Sequence, residues 1–360
     1  MARESLPELL ARHEAAAAAV LPLPIFDFIA GGGGEEISMR EASAAWRAFR
    51  LRPRVLSNVS TVDTSTSVCG VHLSAPVMVA PTAYHAVAHP EAEVETARGV
   101  NAAAGLMVVA TRANAELEQI VLALDSPWWF QVYVMRDRDI TASLVQRATR
   151  LGATALVLTG DTPAISRRRH SASLPPMTTE QYLGNAAAYV KPGADIAVDT
   201  NMDPSITFEI IQWLRDISGL PVLVKGVLRA DDAIACVDAG AAGVIVSNHG
   251  GRQLDRVVST AAALAEVADA VGARSEVLVD GGIRTGIDVL VALALGARAV
   301  LVGRPVCWAL AAEGARGVQL LLEMLRDEFI EAMTLAGAAS VAAIDRSLVV
   351  SPSGGGGLSG

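Results

Sequence analysis

The chain has 360 residues, 52% apolar and 19% charged, with a mean hydropathy of +0.39. Such a composition can bury a large core and excludes a disordered chain, a disulfide-stapled miniprotein and a coiled coil. Thirty-eight acids against 29 bases give a net charge of −9, leaving no basic surface for a phosphate backbone, so nucleic acid is not an expected partner.

The opening MARESLPELLARHE carries acids early and has no basic segment leading into an apolar one, so it does not read as a secretory signal, and the cytoplasm is the default location. The longest apolar stretches, Ala15 to Phe26 and Val289 to Gly303, are broken by Pro22 and Pro24 or by Arg298. Neither offers the ~20 residues of a membrane span. Residues 1–75 read as an N-terminal helical cap. Cys69, Cys236 and Cys307 are odd in number and apolar in context, which suits buried free thiols and neither a disulfide nor a metal site.

Eight short apolar runs follow: VMVAP (77–81), LMVVAT (106–111), WFQVYV (129–134), ALVLTG (155–160), PVLVKG (221–226), GVIVSN (243–248), EVLVDGG (276–282) and AVLVGRP (299–305). They are continuously apolar, as parallel strands covered on both faces are. Helical segments such as DITASLVQRATRLG and GIDVLVALALGA lie between them. This alternation predicts a (β/α)8 barrel, a TIM barrel, over residues 1–350, with an open doubly wound sheet as the rival. Residues 166–203 form a long insertion after the fourth strand, rich in Arg, Ser, Pro, Ala and Gly, which reads as an active-site loop or a partly disordered excursion. The tail 351–360, SPSGGGGLSG, has no core-forming residue.

In such a barrel the site lies at the C-terminal ends of the strands. The polar residues that end each run are Thr82; Thr111 and Arg112; Gln131 and Tyr133; Thr159 and Asp161; Lys225; Ser247, Asn248, His249 and Arg252; Asp280, Gly281, Gly282 and Arg284; and Gly303 and Arg304. VDGGIRTG and GRP, after strands seven and eight, look like a phosphate site built from loop amides, a helix N-terminus and two guanidinium groups. Lys225 is one of only two lysines, the other being Lys191, which gives its strand-end position more weight. His249, in SNHGGRQLD, is a near-neutral imidazole three positions before Arg252. That suits proton removal from a substrate whose carboxylate is held by arginine. Asp161 is placed to pair with the imidazolium that results. The other histidines, His13, His72, His85, His89 and His170, read as surface or supporting residues.

APTA (80–83), FQVY (130–133), LTGDTP (158–163), VLVKG (222–226), SNHGGRQLD (247–255), DGGIRTG (280–286) and GRP (303–305) resemble, in order, the FMN-dependent 2-hydroxy acid oxidases and dehydrogenases. That family includes glycolate oxidase, lactate oxidase, mandelate dehydrogenase and hydroxymandelate oxidase. The resemblance implies FMN as cofactor, held by Ala80, Pro81, Thr82, Ala83, Gln131, Thr159, Lys225, Ser247, Asp280, Gly281, Gly282, Arg284, Gly303 and Arg304. It implies His249 as base, Asp161 as its electrostatic partner, Lys225 beside the flavin, Arg252 and Arg168 as carboxylate clamps and Tyr133 as a substrate hydroxyl partner. It also implies a homotetramer or larger, no metal, and oxygen as electron acceptor.

Three departures stand out. Phe28, in FDFIAGG, occupies the place of a tyrosine common in relatives, as it does in the hydroxymandelate oxidase pattern, and favours an aromatic 2-hydroxy acid such as mandelate or 4-hydroxymandelate. A lactate- or glycolate-type enzyme, or a dehydrogenase with another acceptor, is the alternative. Arg112 stands where relatives commonly carry a large apolar residue; it is expected to point outward into solvent, and if it points inward it could meet a second polar group on the substrate. The loop after Arg167 to Arg169 lacks an apolar membrane-binding insert, which supports a soluble enzyme. A sugar-phosphate isomerase or aldolase, or a non-catalytic flavin-binding protein, would fit the barrel and phosphate site alone.

Overall fold

The computed structural model describes residues 4–166, 177–193 and 195–351. Eight parallel strands close into a barrel, ordered in space as in the chain: Val77–Val79, Leu106–Val109, Trp128–Val132, Ala153–Thr159, Val222–Val227, Gly243–Val246, Glu276–Val279 and Ala299–Val302. Val300 to Val302 pair with Val77 to Val79, closing the ring. The open doubly wound sheet is thereby excluded.

Side chains alternate across each strand, so every strand feeds two cores. Val77, Val79, Met107, Val109, Leu156, Leu158, Val300 and Val302 pack outward against the helices. Met78, Val108, Trp129, Val157, Leu223, Ile245, Leu278 and Leu301 fill the interior. This two-sided burial is why the runs are continuously apolar. Two residues further along each strand, at the next inward position, stand Ala80, Ala110, Gln131, Thr159, Lys225, Ser247, Asp280 and Gly303. All but Gly303 are buried. The apolar plug thus gives way to a layer of small and polar groups at the C-terminal mouth.

The predicted cap is helical over Leu6–Val20, Leu23–Ala30 and Ile37–Arg47 only. Beyond it the chain turns extended. Arg50–Leu51 pairs with Val349–Val350, and a hairpin of Thr66–Val68 and Val71–Leu73 places Val68, Val71 and Leu73 against the interior core, sealing the barrel at the end away from the site. The β-branched alternation of that hairpin outweighs the helical reading. In the insertion, the described residues fold into helices Thr179–Leu183 and Ile196–Asp199 around a 3-10 turn, with Leu183, Asn185 and Ala186 buried; here the expected excursion is structured. Helix Arg304–Ala336, kinked at Gly314, directs Val318, Leu321, Leu325, Phe329 and Met333 inward, so its apolar stripe packs on its own barrel.

Candidate functional site

The mouth opens into a cavity of about 650 Å³, within the usual range for a small-molecule or cofactor site. It is lined by Phe28, Ala80 to Tyr84, Arg112, Gln131, Tyr133, Lys225, His249, Arg252, Asp280 to Arg284, Gly303 and Arg304, among others. Hydrogen bonds stitch the layer beneath it. Gln131 accepts from the Thr111 amide (3.0 Å) and donates to Thr159 Oγ1 (2.9 Å), which fixes the orientation of its amide. Lys225 Nζ donates to Ser247 Oγ at 2.8 Å and pairs with Asp280 Oδ2 at 3.0 Å. Burial opposes the lysine's charge, but Asp280 and Asp161 outweigh it and raise its pKa above the ordinary value.

His249 follows the sixth strand with a left-handed backbone, φ 57°, ahead of Gly250 at 63° and Gly251 at 71°. Three successive residues in that region suit glycine, and a histidine there is strained by roughly 1–2 kcal/mol, the kind of cost that clusters at functional sites. Asn248 accepts from the Gly251 amide, and Ser247 Oγ accepts from the His249 amide, pinning the turn. The imidazole Nδ1 lies 3.0 Å from Asp161 Oδ1. Burial would raise the Asp161 pKa, but the imidazole, its hydrogen bond and the Lys225 charge hold it below the usual carboxylate range. An ionised carboxylate can only accept, so Nδ1 carries a hydrogen, and in the neutral imidazole that leaves the lone pair on Nε2. Asp161 reaches this position because the fifth strand bulges at Gly226 (φ 106°), where a Cβ would lie 2.5 Å from that of Asp161.

The cap is bolted to the site. Arg252 and Arg304 each donate to the carbonyls of Ile29 and Gly31, and the Arg252 guanidinium lies 5.2 Å from the Phe28 ring centroid. Trp46 Nε1 donates to the Gly281 carbonyl at 2.7 Å, and Gly282 passes so close to Ala42 that a Cβ would meet its carbonyl oxygen at 2.5 Å. Asp255 accepts from the amides of Glu35, Ile37, Ser38 and Arg256.

Thus the cavity gathers Phe28, Tyr133, Lys225, His249, Arg252 and the residues expected around a flavin; among these, Thr159 and Ser247 sit in the layer just beneath it. Arg168 and His170 lie outside the described residues. One expectation is corrected. Arg112 is buried, at 4% exposure, because its guanidinium reaches the carbonyls of Tyr182 and Thr200 and covers the Tyr182 ring. His13 and His85 are buried, the latter in a supporting place between the Thr82 and Thr96 hydroxyls. Tyr84, Tyr182 and Met202 also line the cavity, unanticipated by motif.

Residues 17–351 match the family model of the FMN-dependent dehydrogenases. The chain belongs to that family. It is 42% identical to a peroxisomal (S)-2-hydroxy-acid oxidase, GLO4, of Oryza sativa subsp. japonica, covering 96% of this chain and 97% of the relative. It is 42% identical to glycolate oxidase of Spinacia oleracea, over 93% of each. Among solved structures, a mandelate oxidase superposes with a TM-score of 0.86 at 42% identity, over 95% and 97% of the two chains. The protein is therefore an FMN-dependent enzyme of the 2-hydroxy acid oxidase family.

The residues present fit FMN. Asp280 Oδ1 is buried at the cavity wall without a hydrogen-bond partner among the described residues. Arg284 is half-buried, and desolvation lowers its pKa; its guanidinium donates to the Ile283 carbonyl and pairs with no carboxylate among the described residues, as befits an anion site. Gly303 leaves ordinary clearance to Thr82 and Ala80 and precedes the N-terminus of the helix that begins at Arg304, a natural phosphate seat. No helix among the described residues is long and apolar enough to cross a membrane.

Proposed function

We propose that the enzyme oxidises aromatic (S)-2-hydroxy acids, mandelate or 4-hydroxymandelate, to the 2-oxo acid, with oxygen reduced to hydrogen peroxide. The carrying observation is Phe28. Its ring is 7% exposed, lines the cavity beside the Arg252 guanidinium and leans on Tyr84 at 6.4 Å between centroids. A substrate ring laid against that wall gains apolar burial and aromatic contact. The tyrosine common in relatives would add one hydrogen bond there, worth roughly 0.5–1.5 kcal/mol.

In this reading Arg252 holds the α-carboxylate, with Arg168 as a second clamp, and the Tyr133 phenol is a hydroxyl partner for the substrate. His249 Nε2 takes the proton that the substrate gives up, and Asp161 stabilises the resulting imidazolium. Arg284, Arg304 and the Gly281–Gly282 and Gly303 amides would hold the phosphate of FMN, and Ala80, Pro81, Thr82, Ala83, Gln131, Thr159, Ser247 and Asp280 would hold the rest of it. When bound, FMN supplies the two-electron acceptor for the substrate. Lys225, with its raised pKa, is a fixed cation that would favour negative charge on the bound cofactor. Cytoplasmic location and a homotetramer or larger belong to the same proposal, and plant relatives that are peroxisomal make location a question for imaging. The deciding experiment compares turnover of mandelate, lactate and glycolate with oxygen as sole acceptor. Mandelate should lead in kcat/KM, and a clear lead for the small aliphatic acids would give the lactate- or glycolate-type reading instead.

A further inference from the structure

The cavity wall presents five described cations: Arg112, Lys225, Arg252, Arg284 and Arg304. In the proposed reading four have anions to answer: Asp280 faces Lys225, the FMN phosphate faces Arg284 and Arg304, and the α-carboxylate faces Arg252. Arg112 is left over. It is 4% exposed and forms no ion pair with a described carboxylate. Its Nη1 donates to the Tyr182 carbonyl at 3.2 Å and its Nη2 to that of Thr200 at 2.5 Å. Two carbonyl oxygens solvate part of a buried guanidinium, but they neutralise none of its charge, and a five-donor fork retains N–H groups for an acceptor.

Its position gives the direction. Arg112 lines the cavity together with Tyr133 and Phe28, the side chains given to the substrate in the reading above. The guanidinium lies 4.6 Å from the Tyr182 ring centroid; Tyr182 stacks on Tyr84 at 6.5 Å, and Tyr84 meets Phe28, over which Arg252 lies. An aromatic wall therefore runs between two guanidinium groups, one assigned to the α-carboxylate and the other unassigned.

We infer that Arg112 is a specificity-determining residue that receives a second carboxylate at the far end of the substrate, so that the preferred acids are dicarboxylic 2-hydroxy acids. The inference rests on the 2-hydroxy acid site proposed above and names the chemistry of its distal end. A carboxylate is the acceptor whose charge and fork geometry match a buried guanidinium.

The test separates the ring from the distal charge. With the FMN-loaded enzyme and oxygen, kcat/KM is measured for mandelate and 4-carboxymandelate, and for lactate and 2-hydroxyglutarate. The second carboxylate should raise kcat/KM by about ten-fold or more in at least one pair. In Arg112→Met that ratio should collapse toward one, and in Arg112→Lys part of it should survive. Because each ratio is taken within one protein, a general loss of activity cancels. No gain from the second carboxylate in the wild type overturns the inference, as does a gain that persists in Arg112→Met. Should that variant not fold, Arg112→Gln is read the same way. If aliphatic acids outrun aromatic ones while the carboxylate gain holds, the aromatic reading fails and the Arg112 assignment stands. If aromatic acids lead and the second carboxylate adds nothing, the aromatic reading stands and the Arg112 assignment fails.

Discussion

Replacing Asp161 with asparagine removes one charge at the site while keeping the shape, and its cost can be worked from the geometry. Asp161 Oδ1 and His249 Nδ1 are 3.0 Å apart. A unit charge pair at that spacing interacts by about 5–6 kcal/mol at an effective dielectric near 20. The two side chains keep 15% and 23% of their surface exposed, so solvent screens much of this, and about 1.5–3 kcal/mol, the usual worth of a charge-assisted hydrogen bond, is the better figure. That energy appears only as the imidazole gains its proton, so it falls on the rate: a loss of about ten- to 150-fold in flavin reduction. A second effect adds to it. The asparagine amide can donate to Nδ1 and so favour the tautomer with the proton already on Nε2, where the base needs a lone pair. The assay is anaerobic bleaching of the bound flavin after rapid mixing with saturating mandelate. KM should change little, since the carboxylate clamps are untouched. Bleaching within three-fold of the wild type, at equal flavin content, would refute the role given to this pair.

His249→Ala should keep its yellow colour and lose reduction by substrate, whereas Lys225→Ala should lose flavin affinity as well as rate, because Lys225 also anchors Ser247 and Asp280; absorbance of the purified variants and anaerobic bleaching check both. Phe28→Tyr should shift the mandelate-to-glycolate ratio of kcat/KM toward glycolate by about two- to ten-fold, the worth of one hydrogen bond, and an unchanged ratio would leave Phe28 as packing alone. Asp255 has the clearest acid signature: burial would raise its pKa, but backbone amides of Ser38, Arg256, Ile37 and Glu35 hold it down to about 2 from 3.8. A depressed carboxylate stabilises the fold above its unfolded pKa and loses that contribution as pH falls through the folded one. Urea unfolding should therefore show Asp255→Asn weaker than wild type by about 1–2 kcal/mol near pH 6, after allowance for screening, with the gap closing as pH falls from 4 toward 2.

Much of this site is legible in the sequence because strands obey a period of two. Once each apolar run is taken as a barrel strand, the first polar residue after it faces the mouth, which is how Gln131, Thr159, Lys225, Ser247 and Asp280 come out together. What escapes is whatever depends on contacts distant in the chain. Nothing local in FDFIAGG says that the carbonyls of Ile29 and Gly31 will receive Arg252 and Arg304. Asp255 looks like one more acid in a polar loop until the amides of Glu35, Ile37 and Ser38 close around it. Tyr84 lies in a loop and Tyr182 on the short helix Thr179–Leu183, neither within a repeat, and they become an aromatic wall only when the insertion folds back over the second strand end.

Arg112 differs, because its inward direction is legible in the strand register. Counting inward along the second strand from Leu106 and Val108 gives Ala110 and then Arg112, and two beyond the polar layer of the neighbouring strands stand Thr82, Tyr133, Asp161 and His249. The same arithmetic that places the base and its carboxylate at the mouth places Arg112 beside them. The hydrophilic residue type argues for solvent, but a guanidinium can be buried when carbonyls meet its edge and a ring covers its face, and Thr200 and Tyr182 supply both. Register thus outranks residue type here. A buried charge that register sends to the mouth of a barrel, and that no carboxylate among the described residues answers, points to an anion that arrives with the substrate.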